Sequence, residues 1–260
     1  MIFRSSGARM HVLARIAAIA CIAAWFSVPA RAETEYDRAL AAYDNRHYAE
    51  AFASFTELAK SGHAAAQYQL ALMNHQGDGV SADIREGLKW YRRAADQGYA
   101  PAIYSLGLLS DQGFGVKANP IEAVKYFKRA AELDYPQAQF TYAYMLQIGR
   151  GTPKDGPAAL RWFTRASEQG HGMALFGVGL CNRQCPGVTP SKVNTHAFLG
   201  LALPFLQEGV MKNSATKMRE KTASTMTPGE LHESERVAAD WQLRHGTTAQ
   251  AAKGEQKQVE

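Results

Sequence analysis

The chain has 260 residues, and its 29 lysines and arginines against 24 aspartates and glutamates give a net charge of +5. Four of the 29 (Arg4, Arg9, Arg15 and Arg31) fall in residues 1–32, which hold no acid, leaving 25 basic against 24 acidic residues and a net of +1. That near-balance removes any global electrostatic case for nucleic acid or an anionic membrane as partner.

At the N-terminus, Arg4, Arg9 and Arg15 precede an apolar stretch from Ile16 to Val28 that ends at Ala30-Arg31-Ala32. This is a charged region, a short hydrophobic region and an A-x-A cleavage site, the layout of a secretory signal. The apolar run is short for a membrane span. Residues 1–32 are therefore expected to be a signal peptide cut before Glu33, with an uncleaved anchor as the alternative. The chain would then be periplasmic or secreted and would meet a membrane only during export. Cys21, preceded by Ala18-Ile19-Ala20, lacks the usual leucine of a lipoprotein site.

Beyond residue 32 the chain repeats. The pair Gly77 and Gly79 recurs as Gly113 and Gly115, and again as Gly149 and Gly151, each step being 36 residues. Phe55, Tyr91, Phe127 and Phe163 share one phase, Phe52, Leu88, Val124 and Leu160 another, and Ala59, Ala95, Ala131 and Ser167 a third. Gly62, Gly98, Asp134 and Gly170 form a fourth row, and Tyr68, Tyr104, Phe140 and Phe176 a fifth. A fixed period of this length means stacked copies of one small unit. Stacked units usually offer extended binding surfaces rather than one catalytic pocket.

Each unit reads as two helices. In the second, helix A is expected from Asp83 to Gln97, its apolar stripe being Leu88, Tyr91, Ala94 and Ala95. Gly98 follows where a left-handed residue commonly ends a helix. Helix B is expected from Pro101 to Gln112, with Ile103, Leu106 and Leu108 or Leu109 inward, until Gly113-Phe114-Gly115 breaks it. Asn119-Pro120-Ile121-Glu122 supplies an N-cap, a first-turn proline and a glutamate at the third position. Thr227-Pro228-Gly229-Glu230 does the same for a last helix expected to end near Arg244. The small residues Ala59, Ala94, Ala95, Ala130 and Ala131 let helices approach, and the aromatics fill the space between units.

The run Gly87…Trp90-Tyr91…Ala94-Ala95…Gly98…Ala102…Leu106-Gly107…Gly113-Phe114-Gly115-Val116 is similar to the unit of the Sel1-like repeat family, relatives of the tetratricopeptide repeats. Val124…Phe127…Ala130-Ala131…Ala138…Gly149-Arg150-Gly151 resembles a further copy, with Asp134 in place of a glycine. Ala41 to Ala51 resembles the usual opening turn of such proteins, and Met226 to Trp241 their closing helix. The resemblance spans about Tyr36 to Leu243 and implies an all-α, right-handed α-α superhelix, a solenoid of helix-turn-helix repeats. It also implies a protein-binding role, because several Sel1 proteins grip sensor or envelope proteins, but the fold hosts many roles.

Cys181 and Cys185 remain after the signal, an even number in an oxidising compartment. Cys185 lies 36 residues after Gly149, where a fourth Gly-x-Gly loop should begin, and Gly187 matches Gly151. A Cys181–Cys185 disulfide is expected to staple the end of helix B to this loop. Free thiols are the alternative; two cysteines alone make a poor zinc site.

The chain lacks His-Glu-x-x-His and a Gly-x-Ser-x-Gly elbow. The Gly-x-Gly pairs lack the third glycine and the preceding strand of a dinucleotide site, and so read as loop turns. Ser214-Ala215-Thr216-Lys217 matches Ser-x-x-Lys, which bears on some Sel1-repeat proteins described as β-lactamase-like. No Lys-Thr-Gly or Ser-Asp-Asn accompanies it. His63 and His171 share a phase with Tyr99 and Tyr135, which makes them turn residues before helix B. No catalytic residue, cofactor or metal site is expected.

Lys89, Lys125 and Arg161 share a helix A phase, as do Arg93, Arg129 and Arg165, and Arg92 with Lys128. Stacked units would line these cations into rows. They read either as a strip receiving an acidic segment of a protein partner or as a solvated face whose long stems cover apolar surface.

Together these readings divide the chain into a signal at 1–32, a repeat solenoid at 33–245 and a disordered tail at 246–260. The repeat units are expected near 48–82, 83–118, 119–154 and 155–190, with closing helices over 192–244. The expected role is a non-catalytic adaptor or regulator of an envelope or signalling complex. An envelope hydrolase acting on β-lactams or peptidoglycan and a host-directed secreted factor are the alternatives.

Overall fold

A computed structural model describes residues 30–256, with side chains described over 34–246. Most of the expected signal, including Cys21, lies outside the described residues. Among the described residues there are twelve α-helices and no strand. The all-α class read from the repeat is what the structure has, with consecutive helices packed in pairs. The chain divides into one unit that ends at Asp83 and a second that begins at Ile84.

The first unit holds α1 (Ala30–Asp44), α2 (Tyr48–Lys60) and α3 (Ala64–Gln76). The expected cut before Glu33 falls in the first turn of α1. Ala51, Phe55, Leu58 and Ala59 of α2 are buried, together with Ala66, Leu70, Ala71 and Met73 of α3. His63 caps α3, its Nδ1 accepting from the Ala66 N–H at 3.1 Å. The Tyr43 hydroxyl donates to Asp78 at 2.7 Å. Burial, followed by that bond to a carboxylate, pushes the phenol up to about 12.

In the second unit, α4 (Ile84–Asp96) and α5 (Ala100–Gln112) form the first helix A and helix B. They are followed by α6 (Pro120–Glu132) with α7 (Pro136–Ile148), and α8 (Gly156–Glu168) with α9 (Gly172–Gln184). Tyr91, Phe127 and Phe163, one aromatic per helix A, are at most 1% exposed. Buried alanines follow each in sequence: Ala94 and Ala95, Ala130 and Ala131, Ala166. Gly107 of α5 lies against the Phe127 ring, where a Cβ would approach ring carbon to 2.6 Å. The glycine of the Leu106-Gly107 pair is therefore a packing requirement, one helix resting directly on the next repeat's ring.

The Gly-x-Gly loops have two separate backbone reasons. Gly149 caps α7 in the left-handed region, at φ +75, and its N–H returns to the Met145 carbonyl. Gly151, at φ +70, lies on the first turn of α6, where the Pro120 carbonyl oxygen occupies the space of a Cβ. Asp134, the residue that breaks the row of glycines, takes the same left-handed conformation at φ 59. Aspartate tolerates this because its short polar side chain bonds locally, here accepting from Gln139 Nε2 at 3.2 Å.

After α9 come α10 (Lys192–Ala202), a 3-10 turn at Leu203–Phe205, α11 (Val210–Ala223) and α12 (Pro228–Gln256). Helix α10 keeps the repeat phase: Leu199, fully buried, falls 36 residues after Phe163 and packs on Gly179 as Phe127 packs on Gly107. Helix α12 packs on α10 and reaches α8. It starts with the expected capping box, the Glu230 N–H donating to Thr227 Oγ1 at 3.2 Å and the Thr227 N–H to Glu230 Oε2 at 2.7 Å.

Helix α12 runs past the expected end near Arg244 to Gln256, and residues 257–260 of the expected tail lie outside the described residues. The reason is composition: Thr-Thr-Ala-Gln-Ala-Ala-Lys after Gly246 holds no proline, and alanine, glutamine and lysine propagate a helix that packing has already nucleated.

Candidate functional site

Helices α4, α6 and α8 each bury one stripe and turn the other to solvent. Lys89, Arg92, Arg93, Lys125, Lys128, Arg129, Arg161 and Arg165 are all exposed. Their surroundings differ in a way that the rows alone do not reveal. Lys89 pairs with Glu86 at 2.6 Å, Lys125 with Glu122 at 3.2 Å and Lys128 with Glu132 at 3.7 Å. Exposed pairs of this kind contribute about 0.3–0.5 kcal/mol each but neutralise the local field. The acid in front of Lys89 and Lys125 becomes Ala158 in front of Arg161, which forms no ion pair among the described residues.

The second row serves the junctions between repeats. Arg129 Nη2 donates to the Ala95 carbonyl at 2.7 Å, at the C-terminal end of α4, where a cation also meets the helix dipole. Arg165 Nη2 reaches Asp134 at 2.7 Å, and its guanidinium lies 5.1 Å from the Trp162 ring centroid. Arg93 stacks on Trp90 at 4.3 Å. Two of the three therefore hold the preceding repeat. The aspartate at position 134, where its neighbours have glycine, was the sequence signal for the Arg165 partner. Arg92 and Arg161 remain as exposed cations with no ion pair, hydrogen bond or ring contact among the described residues.

The helix caps share the repeat phase as well. Asn119, Asp155 and Ser191 each cap a helix by accepting from the N–H three residues on, in Glu122, Ala158 and Asn194. Their own N–H groups donate backward to Ser110, Leu146 and Asn182 carbonyls at 2.7, 3.0 and 2.8 Å. Asp83 makes the same backward bond to Asn74 at 2.7 Å in the first unit. The row Asp83, Asn119, Asp155, Ser191 has the 36-residue step and only N-cap residue types.

Cys181 and Cys185 form a disulfide, with Cα atoms 4.5 Å apart. Both are buried in the core built from Phe163, Val178, Ala143 and Leu146. Cys185 ends α9 in an extended conformation, φ −69 and ψ 134, and its N–H donates to the Cys181 carbonyl. Gln147 Nε2 lies 3.4 Å from Cys185 Sγ. Beside the loop an open cavity of about 640 Å³ is lined by Tyr142, Lys154, Asp155, Pro157 and Pro186.

His171 opens α9 and stacks on Phe140 at 4.7 Å. Its Nδ1 is buried without a partner, and burial pulls its pKa from 6.5 to about 4. Ser214 and Lys217 stand exposed on α11. Among the described residues no three His, Cys, Asp or Glu side chains converge as metal ligands. No described helix is long and apolar enough to cross a membrane.

Comparison with known proteins locates repeats of one family in the chain. The Sel1 repeat model matches residues 64–99, 100–135 and 136–171. The chain contains three Sel1 repeats. The family model starts its unit at helix B, so α3 with α4, α5 with α6 and α7 with α8 are its matched pairs. Among solved structures, the chain is similar to a protective antigen of uropathogenic Escherichia coli that displays an SLR fold, with 26% identity and a TM-score of 0.65. That match covers 79% of this chain and 43% of the antigen, so the chain spans less than half of that relative's length. It is also similar to a Sel1 repeat protein from Oxalobacter formigenes, at 27% identity and a TM-score of 0.61, covering 73% of this chain and 85% of the other. No curated protein matches the sequence. The Sel1 family suggests a protein-interaction module, and no sign of catalytic activity accompanies it.

Proposed function

We propose that this protein is a periplasmic or secreted, non-catalytic adaptor or regulator that captures a protein partner of an envelope or signalling complex. The observation that carries the reading is the run of Sel1 repeats whose helix A faces present exposed cations to solvent. Repeat arrays of this kind use extended surfaces rather than enclosed pockets. Localisation rests on the charged, apolar and A-x-A segments of residues 1–32. An acidic segment of the partner would meet Arg92 and Arg161, the two cations of these rows engaged by no ion pair, hydrogen bond or ring contact among the described residues.

Crosslinking in the intact envelope, followed by mass spectrometry and fractionation, tests the reading. A reproducible envelope-protein partner, lost on changing Arg92 and Arg161 to glutamate while the helical circular dichroism is retained, is the expected result. Capture unchanged by that double reversal would remove the cationic face from the mechanism. Recovery of the chain in the cytoplasm would remove the compartment.

A further inference from the structure

Helices α10, α11 and α12 meet over a cavity of about 180 Å³, far from the cationic rows in sequence. His196 and Gly200 of α10, Arg219 of α11, and Ser234 and Glu235 of α12 line it. The His196 Nδ1 and Ser234 Oγ are 2.6 Å apart, and both residues are at least nine-tenths buried. A serine in mid-helix usually turns its hydroxyl to a carbonyl of its own helix. Here it faces the imidazole instead. When the Ser234 hydroxyl donates to Nδ1, the ring proton resides on Nε2, which has no partner among the described residues.

Arg219 supplies the second donor. Its guanidinium lies over Gly200, where a Cβ would come within 3.0 Å of Nε, so the glycine makes room for it. Nε is buried and unpaired, and no carboxylate of the described residues forms an ion pair with Arg219. A permanently charged planar group held at a cavity wall without an acceptor fits an external anion with two oxygens. Burial, and then the Arg219 charge, hold His196 below its usual pKa, against the opposing pull of Glu235. The ring is therefore neutral near pH 7 and acts as a hydrogen-bond donor rather than as a second cation.

We propose that this cavity is a carboxylate-binding site in which the Arg219 guanidinium and the His196 Nε2–H, positioned by Ser234, hold a small carboxylate, free or carried on an acidic side chain. The volume admits a group of that size and little more. Glu235 at the rim opposes the incoming charge and sets the affinity low. This site is independent of the partner-binding face proposed above, and neither stands or falls with the other.

The test is nitrogen-15 NMR of the His196 ring in the full mature chain, titrated with acetate, with an aspartate-containing tripeptide amide, and with acetamide. A saturable shift of Nε2 with acetate identifies a free carboxylate as sufficient. A saturable shift with the peptide alone identifies an acidic residue of a polypeptide as the ligand. Either outcome supports the site, provided acetamide is silent. Arg219→Gln should abolish the shift, Arg219→Lys should weaken it, and Glu235→Gln should tighten binding about threefold by removing a like charge at an exposed rim. No saturable shift with either carboxylate, or equal shifts with acetamide, overturns the proposal, and the wild-type titration reads this whether or not a variant folds. An undiminished shift in a folded Arg219→Gln chain overturns it as well.

Discussion

The third and fourth repeats end helix B by different means. After α7 the chain stops on Gly149, left-handed at φ +75, and Gly151 lies directly on the backbone of α6. After α9 it stops on Cys185, extended at φ −69 and bonded to Cys181 one turn back, while Gly187 meets only the Pro157 ring at 3.4 Å. The histidine that opens α9 also replaces the tyrosine that opens α7. One repeat relies on backbone freedom, the other on a covalent closure and a buried imidazole. The stop is thus a geometric requirement that unrelated chemistries can meet, and each chemistry brings its own sensitivity.

The widest separation should come from the second glycines. Gly151→Ala places a methyl group on the Pro120 carbonyl and an L side chain at φ +70, and should cost about 3 kcal/mol. Gly187→Ala has the φ penalty without the backbone collision and should cost about 1 kcal/mol. Urea denaturation of both variants measures the gap; equal losses would mean that the loops are not packed differently.

Reduction, or replacing both cysteines by alanine, should cost about 2 kcal/mol, the chain-entropy value for so short a loop. Hydrogen exchange should then rise at the end of α9 and leave the end of α7 unchanged. If the oxidised chain labels fully with a thiol reagent in denaturant, the disulfide itself is refuted.

The imidazole makes the fourth repeat sensitive to acid. The unfolded chain takes up a proton near pH 6.5, which the folded state refuses until about 4. Its stability contribution is complete above pH 6.5 and is lost as pH falls toward 4. Relative to His171→Tyr, which installs the third repeat's residue, the wild-type chain should lose about 2 kcal/mol by pH 5. Parallel pH profiles for the two proteins would show that His171 is protonated without resistance.

The helix caps that follow the two repeats should behave alike. Asp155→Ala and Ser191→Ala should each cost about 1 kcal/mol by thermal denaturation. The smallest effect separates two disulfide-free variants: Cys181→Ala with Cys185→Gly should be about 0.5 kcal/mol less stable than the double alanine variant, because position 185 is extended at φ −69, where alanine is unstrained and glycine only adds unfolded-state entropy.

Much of this was legible in the sequence because a period of 36 residues converts one local assignment into several. The burial of Tyr91, Phe127 and Phe163 and the left-handed turn at Gly98 followed from phase. So did the assignment of His63 and His171 to turns. What periodicity cannot supply is the reach of a long side chain. Lys89 and Lys125 are neutralised within their own helix, while Arg129 and Arg165 cross to the repeat before. Nothing in the row of cations distinguishes these cases except the residues three positions earlier and the odd aspartate at 134. The His196, Arg219 and Ser234 cluster has no periodic signature at all, since it is assembled from helices beyond the last matched repeat.

The backward amide bonds from Asn119, Asp155 and Ser191 have a consequence for how such a chain can lengthen. Each closes a nine-residue span by joining a helix cap to the helix before it, so every junction carries the same latch on both sides. A block of 36 residues cut immediately before one cap and inserted before the next would bring its own latch and receive its neighbour's. Growth by whole-unit duplication therefore creates no new kind of joint, whereas an insertion inside the nine-residue span would have to break one.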